Sequence, residues 1–222
     1  MPIALPPLYA IIDTAVCRQR GVTPVLLAAA CLRGGARLLQ LRCKEGSSAT
    51  VLALASKIQA LAWTHGGRLV INDRADIAMM TGAGGVHVGQ DDLPVADVRR
   101  LVGPEALVGR STHTREQVDQ AAQEAVTYIA VGPVFGTATK DTGYTARGLD
   151  LVRHGAATGL PVVGIGGITL DNAAAVLAAG ASSVAVISDL LTGADPERRV
   201  RMFLARLPPF LRHPRSGRRV VD

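Results

Sequence analysis

Residues 34–44 read GGARLLQLRCK, a glycine-alanine turn that leads into a short apolar strand and then into charged residues. The same turn-to-strand pattern recurs at 82–88, GAGGVHV, and at 180–186, GASSVAV. Turns that lead repeatedly into short apolar runs, separated by alanine-rich stretches, are typical of βα units around a parallel sheet. These three segments therefore predict a repeated βα architecture.

Eight such units follow one another along the chain. The strand candidates are short, as buried parallel strands usually are, and begin at Leu8, Leu38, Arg68, Gly85, Leu107, Tyr128, Pro161 and Ser183. The helix candidates are 23–34, 47–67, 75–83, 94–103, 115–125, 148–159, 170–180 and 195–207. Leu8 to Leu207 spans 200 residues, or 25 for each unit, near the lower end for a closed eight-stranded barrel. We predict an α/β fold, a single-domain (β/α)8 TIM barrel, over residues 1–208.

A doubly wound open sheet is the alternative fold. Such a sheet binds dinucleotides through a GxGxxG turn after its first strand. The segment GIGGIT at 164–169 has a different spacing and follows the seventh strand candidate. The pattern therefore favours the closed barrel.

The composition excludes several classes of protein. Of 222 residues, 48% are hydrophobic, 3% aromatic and 19% charged, which is enough apolar content for a buried core. The uncharged runs are shorter than about 18 residues and contain glycine, so no membrane span is predicted. The cysteines are three in number without CxxC spacing, which predicts reduced thiols. The N-terminus has no secretory pattern, and we expect a cytoplasmic protein.

A basic segment follows the predicted barrel. The formal net charge is +6, and half of this excess lies within residues 209–222, where four arginines stand against one aspartate. We expect these residues to form a disordered C-terminal tail. Because aromatic residues are nearly absent, the stacking that nucleic-acid binding needs is missing. We predict no nucleic-acid and no membrane partner, and the sequence leaves the number of subunits open, a homo-oligomer included.

Polar residues collect after the strand candidates, where barrels of this kind build their active sites. Gln40, Arg42 and Lys44 alternate with apolar residues, so in an extended chain they point to one face, the barrel mouth. Asp73 and Asp92 follow the third and fourth strands and place carboxylates on one rim. One or two carboxylates with substrate phosphates are a usual environment of Mg²⁺. The alternatives are a solvated strand end and a pair of helix caps.

Two later loops have the composition of phosphate sites. Residues 132–143, GPVFGTATKDTG, offer hydroxyls, amides and the ammonium of Lys140, and a plain flexible loop is the alternative. The GxxxxGK[ST] pattern of a P-loop is absent. Gly167 and Ser188 follow the seventh and eighth strands, where many barrels bind phosphate through loop amides and a helix amino end. These features predict an enzyme that joins two phosphorylated small molecules.

The histidines indicate neither a zinc site nor a general base. The five of them show no HxH or HExxH spacing. His87 alternates with Val86 and Val88, and we predict a hydrogen-bonded residue of the core. No general base is assigned.

Seven segments in series resemble a known family. They are QLRCK (40–44), INDRADIA (71–78), HVGQDDL (87–93), STHT (111–114), GPVFGTATK (132–140), GIGGI (164–168) and AVIS (185–188). In this order the chain resembles thiamine phosphate synthase from about residue 8 to 189. The resemblance implies a barrel enzyme of thiamine biosynthesis. It would join 4-amino-2-methyl-5-(diphosphooxymethyl)pyrimidine to thiazole phosphate, forming thiamine phosphate and releasing pyrophosphate.

The resemblance also implies roles for individual residues. Mg²⁺ would be held by Asp73 and Asp92, and the catalytic residues would be Arg42, Lys44, Ser111 and Lys140. The pyrimidine pyrophosphate would contact Gln40, Leu41, Arg42, Cys43, Lys44, Asn72, Ser111 and Lys140. The thiazole phosphate would contact Thr137, Ala138, Thr139, Gly167, Ile187 and Ser188. The reaction implied is dissociative: pyrophosphate leaves before the thiazole nitrogen attacks a pyrimidine methylene cation, so no general base is needed.

Two positions depart from the family pattern. Cys43 stands where the family usually has Glu, and Gly136 where it usually has Pro. We expect a modest cost from Cys43, on the face opposite Arg42 and Lys44, and a looser sixth loop from Gly136. The alternative functions are a thiazole tautomerase of the same fold and a non-catalytic protein that binds thiamine precursors. The INDR and GQDD segments argue against a tautomerase, which needs neither magnesium nor pyrophosphate ligands.

Overall fold

Eight parallel strands close into one barrel in the order of the sequence, with β8 paired to β1. The computed structural model describes residues 4–136 and 143–209. The strands are β1 (Leu8–Asp13), β2 (Leu38–Arg42), β3 (Arg68–Asn72), β4 (Gly85–Val88), β5 (Leu107–Thr112), β6 (Tyr128–Val131), β7 (Val162–Ile165) and β8 (Ser183–Val186). The predicted (β/α)8 barrel is confirmed. The predicted tail, apart from residue 209, lies outside the described residues.

Helices connect the strands and cover the outside of the barrel. They are α1 (Thr14–Gln19), α2 (Pro24–Arg33), α3 (Ser48–Thr64), α4 (Ala75–Thr81), α5 (Val95–Val102), α6 (Arg115–Ala121), α7 (Gly148–Ala157), α8 (Ala173–Ala178) and α9 (Pro196–Arg206). A 3₁₀ helix, Ser188–Leu191, follows β8. Pro24 and Pro196 open their helices, whereas Pro94 lies one residue before α5. Proline fits these places because the first helical N–H groups have no partner within the helix.

The helices α6 and α8 are shorter than predicted. The backbone N–H groups of Gln123 and Glu124 bond to carbonyls three residues back, so α6 gives way to turns. The Asn172 side chain accepts from the Thr169 N–H at 2.8 Å and donates to the Gly167 carbonyl at 2.9 Å. This turn delays the start of α8, because a side chain there takes the place of helical hydrogen bonds.

A further short helix, α1, lies where the sequence pattern predicts none. The Asp13 carboxylate accepts from the backbone N–H groups of Ala15 and Val16 at 2.9 and 3.0 Å. A cap of this kind satisfies N–H groups that the first turn leaves unpaired. The cap therefore lets six residues form a helix immediately after β1.

The core has two layers, one inside the barrel and one between the barrel and the helices. In β2, Leu38 and Gln40 face the interior, while Leu39 and Leu41 pack in the outer layer. Cys43 packs against the outer layer as well. The predicted alternation of side chains along this strand is confirmed, and it carries the polar residues of β2 to the mouth.

The described residues contain no helix that is long and apolar enough to cross a membrane. Cys17, Cys31 and Cys43 are free thiols. Burial, helped by the charge of Asp13, raises the pKa of Cys17 to about 11, and burial raises that of Cys31 to about 12. Both thiols therefore stay protonated at neutral pH and act as small apolar side chains of the core.

Candidate active site

The two carboxylates predicted as metal ligands meet on the rim of the barrel. Asp73 follows β3 and Asp92 lies in the loop after β4, and their side chains hydrogen-bond to each other. Lys44 Nζ donates to Asp73 Oδ2 at 2.5 Å, and the Gly89 N–H donates to Asp92 Oδ2 at 2.7 Å. Asp73 has a φ of 63°, uncommon outside glycine. Its N–H donates to the His87 carbonyl at 2.8 Å, which holds the residue in this conformation.

Helix capping does not explain these carboxylates. Arg74 and Pro94 occupy the N-cap positions of α4 and α5, and neither makes a side-chain capping hydrogen bond. Asp76, within α4, is exposed and pairs with Arg74. Asp73 and Asp92 therefore face each other for a reason other than helix stability.

Asp73 and Asp92, called the rim pair below, differ in how readily they carry a negative charge. Burial raises the pKa of Asp73, and the neighbouring Asp92 adds to this rise although Lys44 opposes it. Burial also acts to raise the pKa of Asp92, but hydrogen bonds from Asp73 and from the Gly89 N–H outweigh it, and this pKa is lowered. Two carboxylates in contact cannot both ionise easily, so Asp73 is the one that keeps the shared proton.

The rim pair fits a magnesium ion. A divalent cation would replace the shared proton and let both carboxylates ionise. Within the part of the chain that the structure describes, no cluster of three or more His, Cys, Asp or Glu side chains forms a metal site. Two carboxylates completed by water and substrate oxygens are the environment in which proteins usually hold Mg²⁺.

Arg42 is held at the mouth by a residue that the sequence analysis did not single out. Its Nη1 donates to Asp13 Oδ2 at 2.5 Å, and the Asp13 side chain is only 4% exposed. Since the other oxygen of Asp13 caps α1, the carboxylate is fixed from two sides. The Arg42 guanidinium, a fifth exposed, keeps its remaining donors near the mouth.

A chain of hydrogen bonds crosses the inside of the barrel. Gln40 Nε2 donates to the Tyr9 hydroxyl at 2.9 Å, which lies 3.0 Å from the Tyr128 hydroxyl. The Tyr128 hydroxyl lies 3.1 Å from His87 Nδ1, and His87 Nε2 lies 2.9 Å from Ser111 Oγ. Burial raises the pKa of both phenols, so they stay neutral. These hydrogen bonds confirm His87 as a hydrogen-bonded core residue, and they orient the Ser111 hydroxyl.

Gly109 leaves room for Tyr128, one of the residues in this row of hydrogen bonds. A Cβ atom at Gly109 would overlap with the ring and hydroxyl of Tyr128. We expect Gly109→Ala to lower the free energy of unfolding by about 1–3 kcal/mol, because overpacking forces neighbours to move. Urea denaturation of the variant and the unaltered chain measures this difference.

The matched control is Gly136→Ala. Among the described residues other than its chain neighbours, no heavy atom lies within 4 Å of a Cβ built at Gly136, and its φ is outside the left-handed region. We expect its stability to be unchanged or slightly raised. Equal stability of the Gly109 and Gly136 variants would contradict the packing of Tyr128 described above.

A cavity of about 470 Å³ opens at the ends of β7 and β8. Three predicted residues, Gly167, Ile187 and Ser188, line it together. Gly167 has a φ of 64°, and a Cβ there would lie 2.5 Å from the Gly136 carbonyl oxygen. The absence of a side chain therefore lets the start of the sixth loop pack on the seventh. The rest of the lining is Val16, Gln19, Arg20, Gly136, Ile165, Gly166, Ile168, Thr169, Ala185, Asp189 and Thr192.

Asn72, another predicted residue, ends β3 and lies beside His87 of β4. The remaining predicted residues fall into two groups. Thr137, Ala138, Thr139 and Lys140 lie outside the described residues. The side chains of Leu41 and Cys43 lie in or against the outer layer, so only their backbone atoms could reach a ligand at the mouth. Cys43 Sγ donates to the Glu45 carbonyl at 3.0 Å, as expected for a side chain turned away from Arg42 and Lys44.

Comparison with known proteins reveals the family. The family model for thiamine monophosphate synthase matches residues 8–190. The chain belongs to this family. It is 45% identical over 205 residues to the thiamine-phosphate synthase of Koribacter versatilis, covering 91% of this chain and 96% of that one. The thiamine-phosphate synthase of Roseiflexus castenholzii is 44% identical over 194 residues, 87% of this chain and 84% of that one.

A solved structure supports the same assignment. The thiamine phosphate pyrophosphorylase of Pyrococcus furiosus superposes with a TM-score of 0.81 at 27% identity, covering 90% of this chain and 94% of that one. The predicted resemblance to thiamine phosphate synthase is confirmed. Membership of the thiamine monophosphate synthase family indicates a transferase of thiamine biosynthesis that acts on small molecules.

Proposed function

We propose that the chain condenses 4-amino-2-methyl-5-(diphosphooxymethyl)pyrimidine with thiazole phosphate to form thiamine phosphate and pyrophosphate. The observation that carries this proposal is the shared mouth of the barrel. The Lys44, Asp73 and Asp92 cluster and the cavity lined by Gly167 and Ser188 both lie at the carboxyl ends of the strands. Each is suited to one of two phosphorylated substrates.

The pyrophosphate end of the reaction requires charge stabilisation. Negative charge grows on the pyrophosphate as its bond to the pyrimidine methylene breaks, and fixed cations stabilise this charge in the transition state. Arg42 and Lys44, each held by an aspartate, would supply such cations, with Lys140 from the sixth loop. Asp73 and Asp92 would hold magnesium, whose chemistry when bound is to neutralise charge on phosphate oxygens.

The thiazole end of the reaction requires positioning. The thiazole nitrogen has a lone pair and no proton to lose, so it attacks the methylene cation without a general base. Gly167 and Ser188 would hold the thiazole phosphate so that the nitrogen faces the pyrimidine, an arrangement that lowers the entropic cost of joining two molecules. Thr137 and Thr139 of the sixth loop would add hydroxyl donors. Ser111, oriented by His87, would bind the pyrimidine substrate.

A thiazole tautomerase and a non-catalytic binding protein are the competing functions. A tautomerase would not need the rim pair of carboxylates with its lysine. The relatives named above are thiamine-phosphate synthases at 44–45% identity. Both observations favour the coupling reaction. We also propose a cytoplasmic location, because free thiols such as those of this chain are usual in that compartment.

One assay tests the proposed function. The purified chain is incubated with both phosphorylated precursors, with and without magnesium, and thiamine phosphate and pyrophosphate are quantified. We expect both products in equal amounts and only in the presence of the metal. Proton exchange on the thiazole without coupling would indicate a tautomerase. Binding without any turnover would indicate a protein that only binds precursors.

Replacing Arg42 with lysine is expected to lower turnover about tenfold or more. The lysine ammonium keeps the charge but cannot form the planar set of hydrogen bonds by which a guanidinium can contact both Asp13 and a phosphate oxygen. Steady-state rates with both substrates saturating measure the effect. Arg18→Lys, an exposed arginine paired with Glu45, is the control and should retain full turnover.

Full turnover by Arg42→Lys would show that Arg42 contributes only charge. Asp13→Asn refines this test, because it removes the ionic partner and keeps the size of the side chain. We expect it to lower turnover as well, because Arg42 then loses the carboxylate that holds it at the mouth.

A further inference from the structure

The wall of the cavity at the ends of β7 and β8 includes a positively charged side chain that is not among the predicted site residues. Its lining includes two charged side chains, those of Arg20 and Asp189. Asp189 is neutralised by Arg199, whose Nη2 lies 2.7 and 2.9 Å from its two oxygens. In residues 4–136 and 143–209, the Arg20 side chain forms no hydrogen bond and no ion pair. Its charge is therefore available at the cavity.

The local fold turns Arg20 towards this cavity. Val16, Gln19 and Arg20 are spaced i, i+3 and i+4 along α1 and its last turn, so they share one face, and all three line the cavity. Arg18 points elsewhere and pairs with Glu45 at 2.9 Å. Arg20 caps the C-terminus of α1, and Gly21, with a φ of 64°, turns the backbone away from the helix directly after it.

A phosphate group in this cavity would need such a cation. The residues assigned to the thiazole phosphate, among them Gly167 and Ser188, offer only uncharged donors. Lys140 is assigned to the other substrate. Hydrogen bonds from a guanidinium to a phosphate are stronger than those from neutral donors. Two parallel N–H groups of the guanidinium can also bind two phosphate oxygens at once.

We propose that Arg20 binds the phosphate of the thiazole substrate and sets the preference of this site for the phosphorylated thiazole over the free alcohol. The inference rests on the proposed function, because it assigns the cavity to the thiazole phosphate. It adds a substrate-binding residue at the C-terminal end of α1, outside the seven segments by which the sequence resembles the family. The guanidinium has no part in breaking or forming the new bond.

The test replaces Arg20 with glutamine and with lysine. With pyrimidine pyrophosphate saturating, we expect Arg20→Gln to raise the KM for thiazole phosphate about tenfold, with kcat close to that of the unaltered chain. Arg20→Lys keeps the charge and should recover part of the loss. The KM for the pyrimidine pyrophosphate should be unchanged, because Arg42 and Lys44 are assigned to that substrate.

Inhibition by the thiazole alcohol separates binding of the phosphate from a structural effect. The alcohol lacks the group that Arg20 contacts, so its inhibition constant should be equal for Arg20→Gln and the unaltered chain. Arg18→Gln, two residues away on α1, is the matched control and should leave every constant unchanged. Equal KM values for thiazole phosphate with and without Arg20, or equally weakened binding of the alcohol, would overturn the proposal.

Calorimetry keeps this test independent of the coupling reaction. Thiazole phosphate is titrated into the unaltered chain and into Arg20→Gln without the second substrate. A weaker dissociation constant for the variant, by about tenfold, supports the role of Arg20 even if no thiamine phosphate is formed. In that case the proposed function fails and the inference stands. Equal dissociation constants refute the inference whatever the turnover.

Discussion

Replacing Lys140 with alanine is expected to lower turnover about a hundredfold or more, the cost of removing one donor that acts on charge in a transition state. The pyrophosphate gains charge as its bond breaks, and the ammonium of Lys140 is proposed to stabilise that charge. Single-turnover and steady-state rates measure the loss. Because the ammonium acts mainly on the transition state, kcat should fall more than the KM for either substrate rises.

The chain offers a matched control for this variant. It contains only three lysines, Lys44, Lys57 and Lys140. Lys57 lies exposed on α3, on the outside of the barrel, so Lys57→Ala should retain full turnover. Full activity of Lys140→Ala would refute its assigned role. Arginine at the same position should recover part of the rate if charge alone is needed, and little of it if the compact ammonium is required.

The fold could be predicted because each βα unit carries its own local signals. Short apolar runs marked all eight strands, and glycine-alanine turns preceded three of them. The observed starts differ only at β7, which begins at Val162 and not at Pro161. Proline has no N–H to donate to a neighbouring strand, which explains this shift. The helix α1 was missed because six residues are too few to show a helical period, and its stability depends on the Asp13 cap.

Part of the candidate site could be predicted from strand order alone. Asp73 and Asp92 follow neighbouring parallel strands, whose carboxyl ends meet on one rim, and the structure brings these residues into contact. The pairing of Arg42 with Asp13 follows the same rule. It was missed because the partner of Asp13 lies 29 positions along the chain, on the neighbouring strand.

Other features depend on how strands face each other across the barrel. The bond between the hydroxyls of Tyr9 and Tyr128 joins residues 119 positions apart, on strands that are not neighbours. No local pattern predicts which interior side chains meet at such a distance, since this depends on the tilt and stagger of all eight strands. Arg20 was not predicted for a simpler reason. Its place on the cavity wall depends on α1, and the sequence pattern did not predict that helix.

Replacing Asp73 with asparagine is expected to raise the magnesium concentration needed for half-maximal activity by about tenfold or more, as loss of a group at a metal site typically does. The amide keeps the size of the side chain and removes the charge that a divalent cation needs. It also removes the carboxyl group that Lys44 contacts at 2.5 Å. Initial rates over a range of magnesium concentrations, with both substrates saturating, measure the shift.

Two exposed neighbours serve as controls for the rim pair. Asp76→Asn, three positions along the chain, removes a carboxylate that pairs with Arg74, and Asp91→Asn removes the exposed residue beside Asp92. Both should retain the magnesium response of the unaltered chain, whereas Asp92→Asn should behave like Asp73→Asn. An unchanged response in Asp73→Asn would mean that the cation binds elsewhere. The contact between Asp73 and Asp92 would then serve only to hold Lys44 towards the substrate.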